Sequence, residues 1–379
     1  MTVTKPKQTA TLFIVALLLA ILAGSPPQSD AATRLVLTTS LPITELSFDD
    51  SRLAWVQNAP HPVCGSANAF SVHRHSFVTR RATRLVNPRC VVTSTGYFGR
   101  LVLAGARVYW AQSQGGNSSR TWSVWTTSAP GQATKLIERA VGCGAACSCS
   151  PPALGTDLGN TDGAGSTFLF TSRDMAPSPT CPPGGDEGIV TSSRLTRVTA
   201  GPSGLVMGNV PGAPGSVGST IAYAAGRVAL VPLENGEPPS HDPGRVEIRD
   251  VATGALVSQF TPAAPVRAVA LSQSVAAVLT KAGGSARIET YDVQTGALRD
   301  SWTPRNAIFP SLDLAGQRIV YRVGTEIRVL RIDTGGSRVL HRAQGSSFFS
   351  ISAPQIEGNR VVWYVRSQGH SRVYELMLP

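Results

Sequence analysis

The sequence predicts an all-β fold: a single seven-bladed β-propeller of four-stranded blades, closed by an N-terminal strand that completes the last blade. Three observations carry this expectation. A strand–turn–strand unit, usually with an arginine just after the turn, recurs along the chain. A second hairpin follows each copy, so each repeat holds four strands, the content of one propeller blade. Glycine (37) and proline (27) are frequent among the 379 residues, a turn-rich composition that argues against long helices. At 42% hydrophobic and 15% charged, the chain can bury a large core and is not disordered.

Residues 1–31 read as a secretory signal peptide. Lys5 and Lys7 form a positive n-region, and residues 12–23 are an unbroken apolar run. That run is too short for a bilayer span of ~20 residues and suits an h-region. Ser29-Asp30-Ala31 supplies small residues for cleavage after Ala31, and an uncleaved anchor is the competing reading. Cleavage leaves no transmembrane span. Residues 32–379 are assigned to the propeller.

Residues 33–39 offer a strand before the first repeat, and residues 372–378 end the last repeat with no room for a fourth strand. Antiparallel pairing of the two would remove an exposed edge. Between them the first hairpins fall at 46–56, 101–110, 161–170, 221–230, 271–279, 312–321 and 356–363. Arg52, Arg107, Arg227, Arg318 and Arg360 mark the unit, and the first and last markers stand six repeats of ~51 residues apart. The second hairpins fall at 70–86, 122–137, 189–206, 246–257, 288–299 and 327–336. In the last three, Asp250, Asp292 and Asp333 begin turns in which Asp caps and Gly supplies a positive φ.

All six cysteines, Cys64, Cys90, Cys143, Cys147, Cys149 and Cys181, lie beyond the signal segment. An even count in an exported chain predicts three disulfides. Cys64 and Cys90 sit in connections that open on one face, so they are expected to bond. Cys147 and Cys149 are too close in sequence for disulfide geometry, which leaves Cys181 to pair with one of them. The 143–149 cluster has no C-x-x-C pair and no nearby histidine, so no metal is expected there.

No nucleophile elbow, H-E-x-x-H, P-loop or dinucleotide fingerprint is present, and no cofactor is expected. His73-x-His75 could form a metal pair but reads as a solvated outer strand face. Asn160-x-Asp162-Gly163 is partly like a calcium loop, yet Leu158 and Leu169 stand where acids are needed, so it reads as a plain turn. Asp49-Asp50 falls in a tight turn, and Asp186-Glu187 in a solvated loop. Trp55, Trp110, Trp122, Trp125 and Trp363 fall at strand positions and read as core. The long connections at 57–69, 140–154, 173–188 and 233–244 all open on one face, where His61, His241, His370 and the cysteines also lie. Long loops on a rigid scaffold are where binding tends to be placed.

Residues 47–55 resemble the blade motif of TolB-like and WD-repeat-like β-propellers, a Ser-Pro-Asp-Gly turn followed by Arg-apolar-Ala-aromatic. Phe48 and Asp50 depart from it. The Asp-x-x-Thr-Gly turns at 250–254 and 292–296 are similar to those of quinoprotein dehydrogenases. The resemblance implies blades, and its motifs specify no activity.

Lys+Arg number 34 against 23 acids, for a net charge of +11. Only Lys5, Lys7, Lys135 and Lys281 are lysines, and the arginines are scattered, with no basic run among aromatics, so nucleic acid is disfavoured. The expected function is a secreted, non-catalytic and monomeric scaffold, extracellular or in the cell envelope. It would engage an extracellular or envelope protein, or an anionic polymer, through the long-loop face. The alternative is an enzyme acting on a polysaccharide or small molecule at the mouth of the central channel, which converging carboxylates or histidines would favour.

Overall fold

The computed structural model describes residues 33–379 apart from 61–63, 65–67, 91–96, 116–118, 143–153, 178–188, 202–203, 234, 236–243, 283–284, 305–310 and 344–349. All described strands lie in one unit, Thr33–Leu378. β1 (Arg34–Thr39) comes first. β2 (Ile43–Phe48), β3 (Arg52–Pro60), β4 (Asn68–Ser76) and β5 (Ala82–Cys90) form one antiparallel sheet in chain order. β6 (Tyr97–Ala104), β7 (Arg107–Gly115), β8 (Ser119–Thr127) and β9 (Thr134–Gly142) repeat that order. So do β10 (Leu154–Ala164), β11 (Thr167–Ala176), β12 (Ile189–Gly201) and β13 (Gly204–Asn209). These two groups join as an eight-stranded sheet only where Leu154 faces Gly142 and Gly155 faces Val141.

Four-stranded sheets continue with β14 (Ser216–Ala224), β15 (Arg227–Pro232), β16 (Val246–Asp250) and β17 (Leu256–Phe260). The next holds β18 (Val266–Leu271), β19 (Val275–Ala282), β20 (Ser285–Asp292) and β21 (Leu298–Trp302). Then come β22 (Leu312–Ala315), β23 (Arg318–Val323), β24 (Glu326–Arg331) and β25 (Ser337–Arg342). The last sheet combines β26 (Gln355–Glu357), β27 (Arg360–Ser367) and β28 (His370–Met377) with β1. β1 runs antiparallel to β28, with Arg34 facing Glu375 and Thr39 facing Ser371. The chain is thus all-β, built from four-stranded antiparallel units. Among the described residues no helix is long and apolar enough to cross a membrane.

The cores lie between neighbouring sheets, which explains the strand compositions. Second strands are covered on both faces and read as continuous apolar runs. Leu53, Ala54, Trp55 and Val56 are all buried, as are Val361, Val362, Trp363 and Tyr364. Leu169 and Leu195 of β11 and β12 pack with Ile221, Val228 and Leu230 of the following sheet. Val362, Tyr364 and Val373 of the last sheet pack with Leu46, Leu53 and Trp55 of the first. Outermost strands differ: Val206 and Met207 on β13 are exposed.

The Asp-Thr-Gly turns also serve this packing. Asp250 accepts from the N–H groups of Ala252 and Thr253 and from the Thr253 hydroxyl, and Asp292 repeats the pattern with Gln294 and Thr295. Gly254 has φ +77°, and a Cβ there would lie 1.7 Å from the Pro211 carbonyl oxygen of the preceding connection. At Gly296 (φ +72°) a Cβ would lie 2.5 Å from the Gln259 carbonyl oxygen on β17. Each glycine lets a turn press on its neighbour. Gly212, at φ +61°, has nothing within 4 Å of its Cβ position. Gly212→Ala is therefore expected to cost about 1 kcal/mol, the left-handed backbone penalty alone. Gly254→Ala should cost at least about twice that in urea unfolding, because Pro211 must also move. Equal losses would contradict this packing role.

Candidate functional site

Two regions gather side chains capable of chemistry. The first is the end of the sheets where second-to-third strand connections lie. There Cys64 bonds Cys90, with S–S 2.07 Å and Cα–Cα 5.3 Å. Cys90 ends β5 and faces Ala69 near the start of β4, whereas Cys64 lies in the connection from β3 to β4. The bond ties that connection to the outermost strand of its own sheet. Cys143, Cys147, Cys149, Cys181, His61, His241, Asp186 and Glu187 lie outside the described residues. His370 opens β28, half-buried, with Nδ1 3.0 Å from the Gln368 carbonyl oxygen.

The second region is the row of first strands. Five positions before the second strand of each sheet stand Ser47, Val102, Asp162, Ala222, Ala270, Asp313 and Gln355. The polar members each reach the first strand of the next sheet. Ser47 Oγ accepts from the Leu103 N–H (2.9 Å), Asp162 Oδ2 from Tyr223 N–H (2.6 Å) and Asp313 Oδ2 from Ile356 N–H (2.8 Å). Gln355 Nε2 donates to the Leu46 carbonyl oxygen at 2.7 Å. Apart from the start of β10, where it meets β9, first strands have an edge with no partner strand, and these side chains satisfy part of it.

Burial pushes the Asp162 carboxyl up to about 7 against the N–H groups of Gly163 and Tyr223 that favour its charge, and the Asp313 carboxylate adds to the rise. Burial likewise raises Asp313 to about 6. Glu357 rises to about 7 through burial and then through the nearby carboxylates of Asp50, Asp49 and Asp313. Asp49 itself caps its turn, accepting from the N–H groups of Ser51 (2.9 Å) and Arg52 (2.7 Å). The converging acids are thus mostly committed to backbone. Among the described residues, no group of three or more His, Cys, Asp or Glu is placed to hold a metal.

Two sequence expectations are corrected. Asn160, Asp162 and Gly163 belong to strand β10, whose register shifts between Leu158 and Thr161, and the turn comes later at Gly165. A bulge carries the polar residues there, and Asp162 has its partner on the next sheet. His73 and His75 are not on a solvated face. His73 stacks on Trp55 at 5.2 Å, bonds Ser71 at 2.8 Å, and is lowered to about 4 by burial and then by Arg84. His75 is 6% exposed. His75 lies edge-on to Phe77 at 5.7 Å and close to Glu375 and Arg34 of the last sheet, which cover its face of β4. Trp55, Trp110, Trp122 and Trp363 are core residues, whereas Trp125 is half-buried with Arg89 and Lys135 over its ring at 5.1 and 5.3 Å.

No protein-family model matches the chain, and no curated protein matches it in sequence. The β-propeller domain of the Trilobed protease from Pyrococcus furiosus, which has an open velcro topology, is similar with a TM-score of 0.52. The identity is 8%, over 88% of this chain and 94% of that one. Kluyveromyces lactis Hsv2p has a TM-score of 0.47 at 10% identity, over 85% of this chain and 89% of that one. BamB from Moraxella catarrhalis has a TM-score of 0.41 at 14% identity, over 89% of this chain and 86% of that one. The likeness to the Pyrococcus domain and the four-stranded repeats define the class: the chain has a β-propeller fold.

The raised carboxyls give a signed pH dependence. A carboxyl whose folded pKa lies above its unfolded value adds stability that is full below about 4 and is lost as pH rises through the folded pKa. Asp162→Asn cannot ionise, and its oxygen can still accept from Tyr223. Its stability relative to the parent should climb between pH 5 and pH 8, measured by urea unfolding. A difference independent of pH would contradict the assignment.

Proposed function

We propose that the chain is an exported, seven-bladed propeller closed by β1, acting as a non-catalytic binding scaffold outside the cell or in its envelope. Its binding end is where the second-to-third strand connections lie, and its partner is a protein or an anionic polymer. The observation that carries this reading is the Cys64–Cys90 bond, which stiffens a connection at that end and leaves the core untouched. A disulfide also suits an oxidising compartment, and the signal-like residues 1–31 agree with it. Support for seven blades comes from the 28 strands among the described residues, taken four at a time with β1 in the last group. Support for closure comes from the last-to-first links. Besides Gln355, the Tyr364 hydroxyl donates to the Thr44 carbonyl oxygen (3.2 Å) and Arg366 Nη2 to that of Ile43 (2.7 Å). In this the chain would differ from the open velcro of the Pyrococcus domain.

The enzyme reading has one specific observation in its favour, Glu357 poised near neutrality beside Asp49 and Asp50. That group lies at the first-to-second strand turns, the end opposite the Cys64 connection. The scaffold reading therefore keeps precedence.

Deleting residues 33–40 should lower the melting temperature sharply and promote self-association through the exposed edge of β28. A deletion variant as stable and monomeric as the parent would contradict closure. Replacing Cys64 and Cys90 by serine should cost roughly 3–4 kcal/mol by loop entropy and weaken capture of whatever co-purifies with the parent from native envelope or medium. Unchanged capture by the folded double variant would remove this loop from the binding end.

A further inference from the structure

Ser172 sits in β11, the second strand of its sheet, and is only 5% exposed. Its hydroxyl bonds to no other described residue. A buried hydroxyl normally finds a partner, and one left without it bears the cost of desolvation. The polar groups around it are spent on one another. Asp174 accepts from Thr156 (2.7 Å) on one oxygen, and from Ser192 (2.6 Å) and Arg194 on the other. Thr196 donates to Asn209 Oδ1 at 3.0 Å, which leaves the amide nitrogen of Asn209 to donate.

Ser172 instead lines a cleft of about 310 Å³ between the β6–β9 and β10–β13 groups. These groups pack face to face over an aromatic core, in which Tyr109 stacks on Phe168 at 4.4 Å. Trp122 and Phe170, each 1% exposed, close the cleft from that core, and Met207 lines it from the exposed strand β13. Arg139 stands at its mouth, directly opposite Trp122 in the β8–β9 pairing. Arg139 Nη1 donates to the Glu138 carbonyl oxygen at 2.8 Å, and the Glu138 carboxylate is taken by Lys135. Arg194 also lines the cleft, but Asp174 balances its charge. The cleft therefore holds one guanidinium that no described carboxylate neutralises.

Its polar side is rich in donors: the Ser172 hydroxyl, the Asn209 amide and the Arg139 guanidinium. Both oxygens of the nearest carboxylate, Asp174, are already used. A complementary ligand brings acceptors and one negative charge. The apolar side lies between sheets that face each other about 10 Å apart, which suits a flat ring, and the Met207 thioether adds a favourable contact with such a ring. The volume falls at the small end of ligand sites.

We infer that this cleft binds a small aromatic carboxylate: the ring on Trp122 and Phe170, the carboxylate at Arg139, and an oxygen substituent on the ring taken by Ser172. The site is separate from the Cys64 connection and goes beyond the scaffold reading without depending on it.

The test titrates the full oxidised chain at pH 7, by calorimetry and saturation-transfer NMR, with 4-hydroxybenzoate, benzoate, the uncharged 4-hydroxybenzamide and glucose. The parent should bind 4-hydroxybenzoate with a Kd of about 1 mM or tighter. Arg139→Gln should weaken it about tenfold, the loss of one charged hydrogen bond, and change 4-hydroxybenzamide by less than about twofold. Ser172→Ala should weaken 4-hydroxybenzoate about fivefold and leave benzoate unchanged. Ser172→Leu, which fills the cleft, should abolish binding of both acids. Melting curves check folding, and Arg139→Gln, at an exposed position, serves even if Ser172→Leu does not fold. Binding of 4-hydroxybenzoate that neither Arg139→Gln nor Ser172→Ala weakens would overturn the site. Glucose bound more tightly than either acid, and lost in Ser172→Leu, would replace the aromatic acid by a polyol. No binding of any probe would overturn the inference and leave the scaffold reading, which is judged by capture at the Cys64 end, standing.

Discussion

Apart from the two residues where β10 meets β9, each four-stranded unit has a first-strand edge that no fifth strand covers, and the backbone groups along it must find partners or remain in water. Here the neighbouring sheets answer one another. Ser47, Asp162, Asp313 and Gln355 occupy one position in four different repeats, and each spends its polar atoms on the next sheet's first strand. Where that position is Val102, Ala222 or Ala270, apolar packing serves the seam instead. The two carboxylates illustrate the cost: desolvation pushes them toward neutrality, and they persist because two backbone N–H groups converge on each.

The outer parts of the sheets follow from the same demand. The marker arginines Arg227 and Arg318 reach the next sheet's first turn, at the Gln273 carbonyl oxygen (3.4 Å) and at Asn359. Gly254 and Gly296 let the second hairpins touch the preceding repeat. Ser258 donates to the Val293 carbonyl oxygen at 2.7 Å, another buried link between neighbouring repeats. Sheets tied this way form a stiff framework, so the connections can vary with little effect on the core.

The strands were legible in the sequence because their signals are local. The arginine after a tight turn and the Asp-x-x-Thr-Gly string each report on a few neighbouring residues, and the first hairpins fall where those signals place them. What escaped were relations between repeats. Asn160 and Asp162 look like turn formers by composition, yet a bulge keeps them in β10 and Asp162 finds Tyr223 on another sheet. His73 and His75 look solvated by their spacing, yet Trp55 stacks on His73, and Phe77 with the last sheet's Glu375 and Arg34 lies against His75. Of the cysteines, Cys64 and Cys90 were readable because the β3–β4 connection and the end of β5 belong to one repeat and lie at one end of its sheet.

The claim that side chains of the first strands join neighbouring sheets is tested most directly by amide hydrogen exchange. The account predicts protected N–H groups at Leu103, Tyr223 and Ile356 in the parent. Each should lose protection selectively, by Ser47→Ala, Asp162→Ala and Asp313→Ala respectively, while amides within the second strands keep theirs. Protection unchanged in these variants, or lost evenly across all sheets, would contradict it.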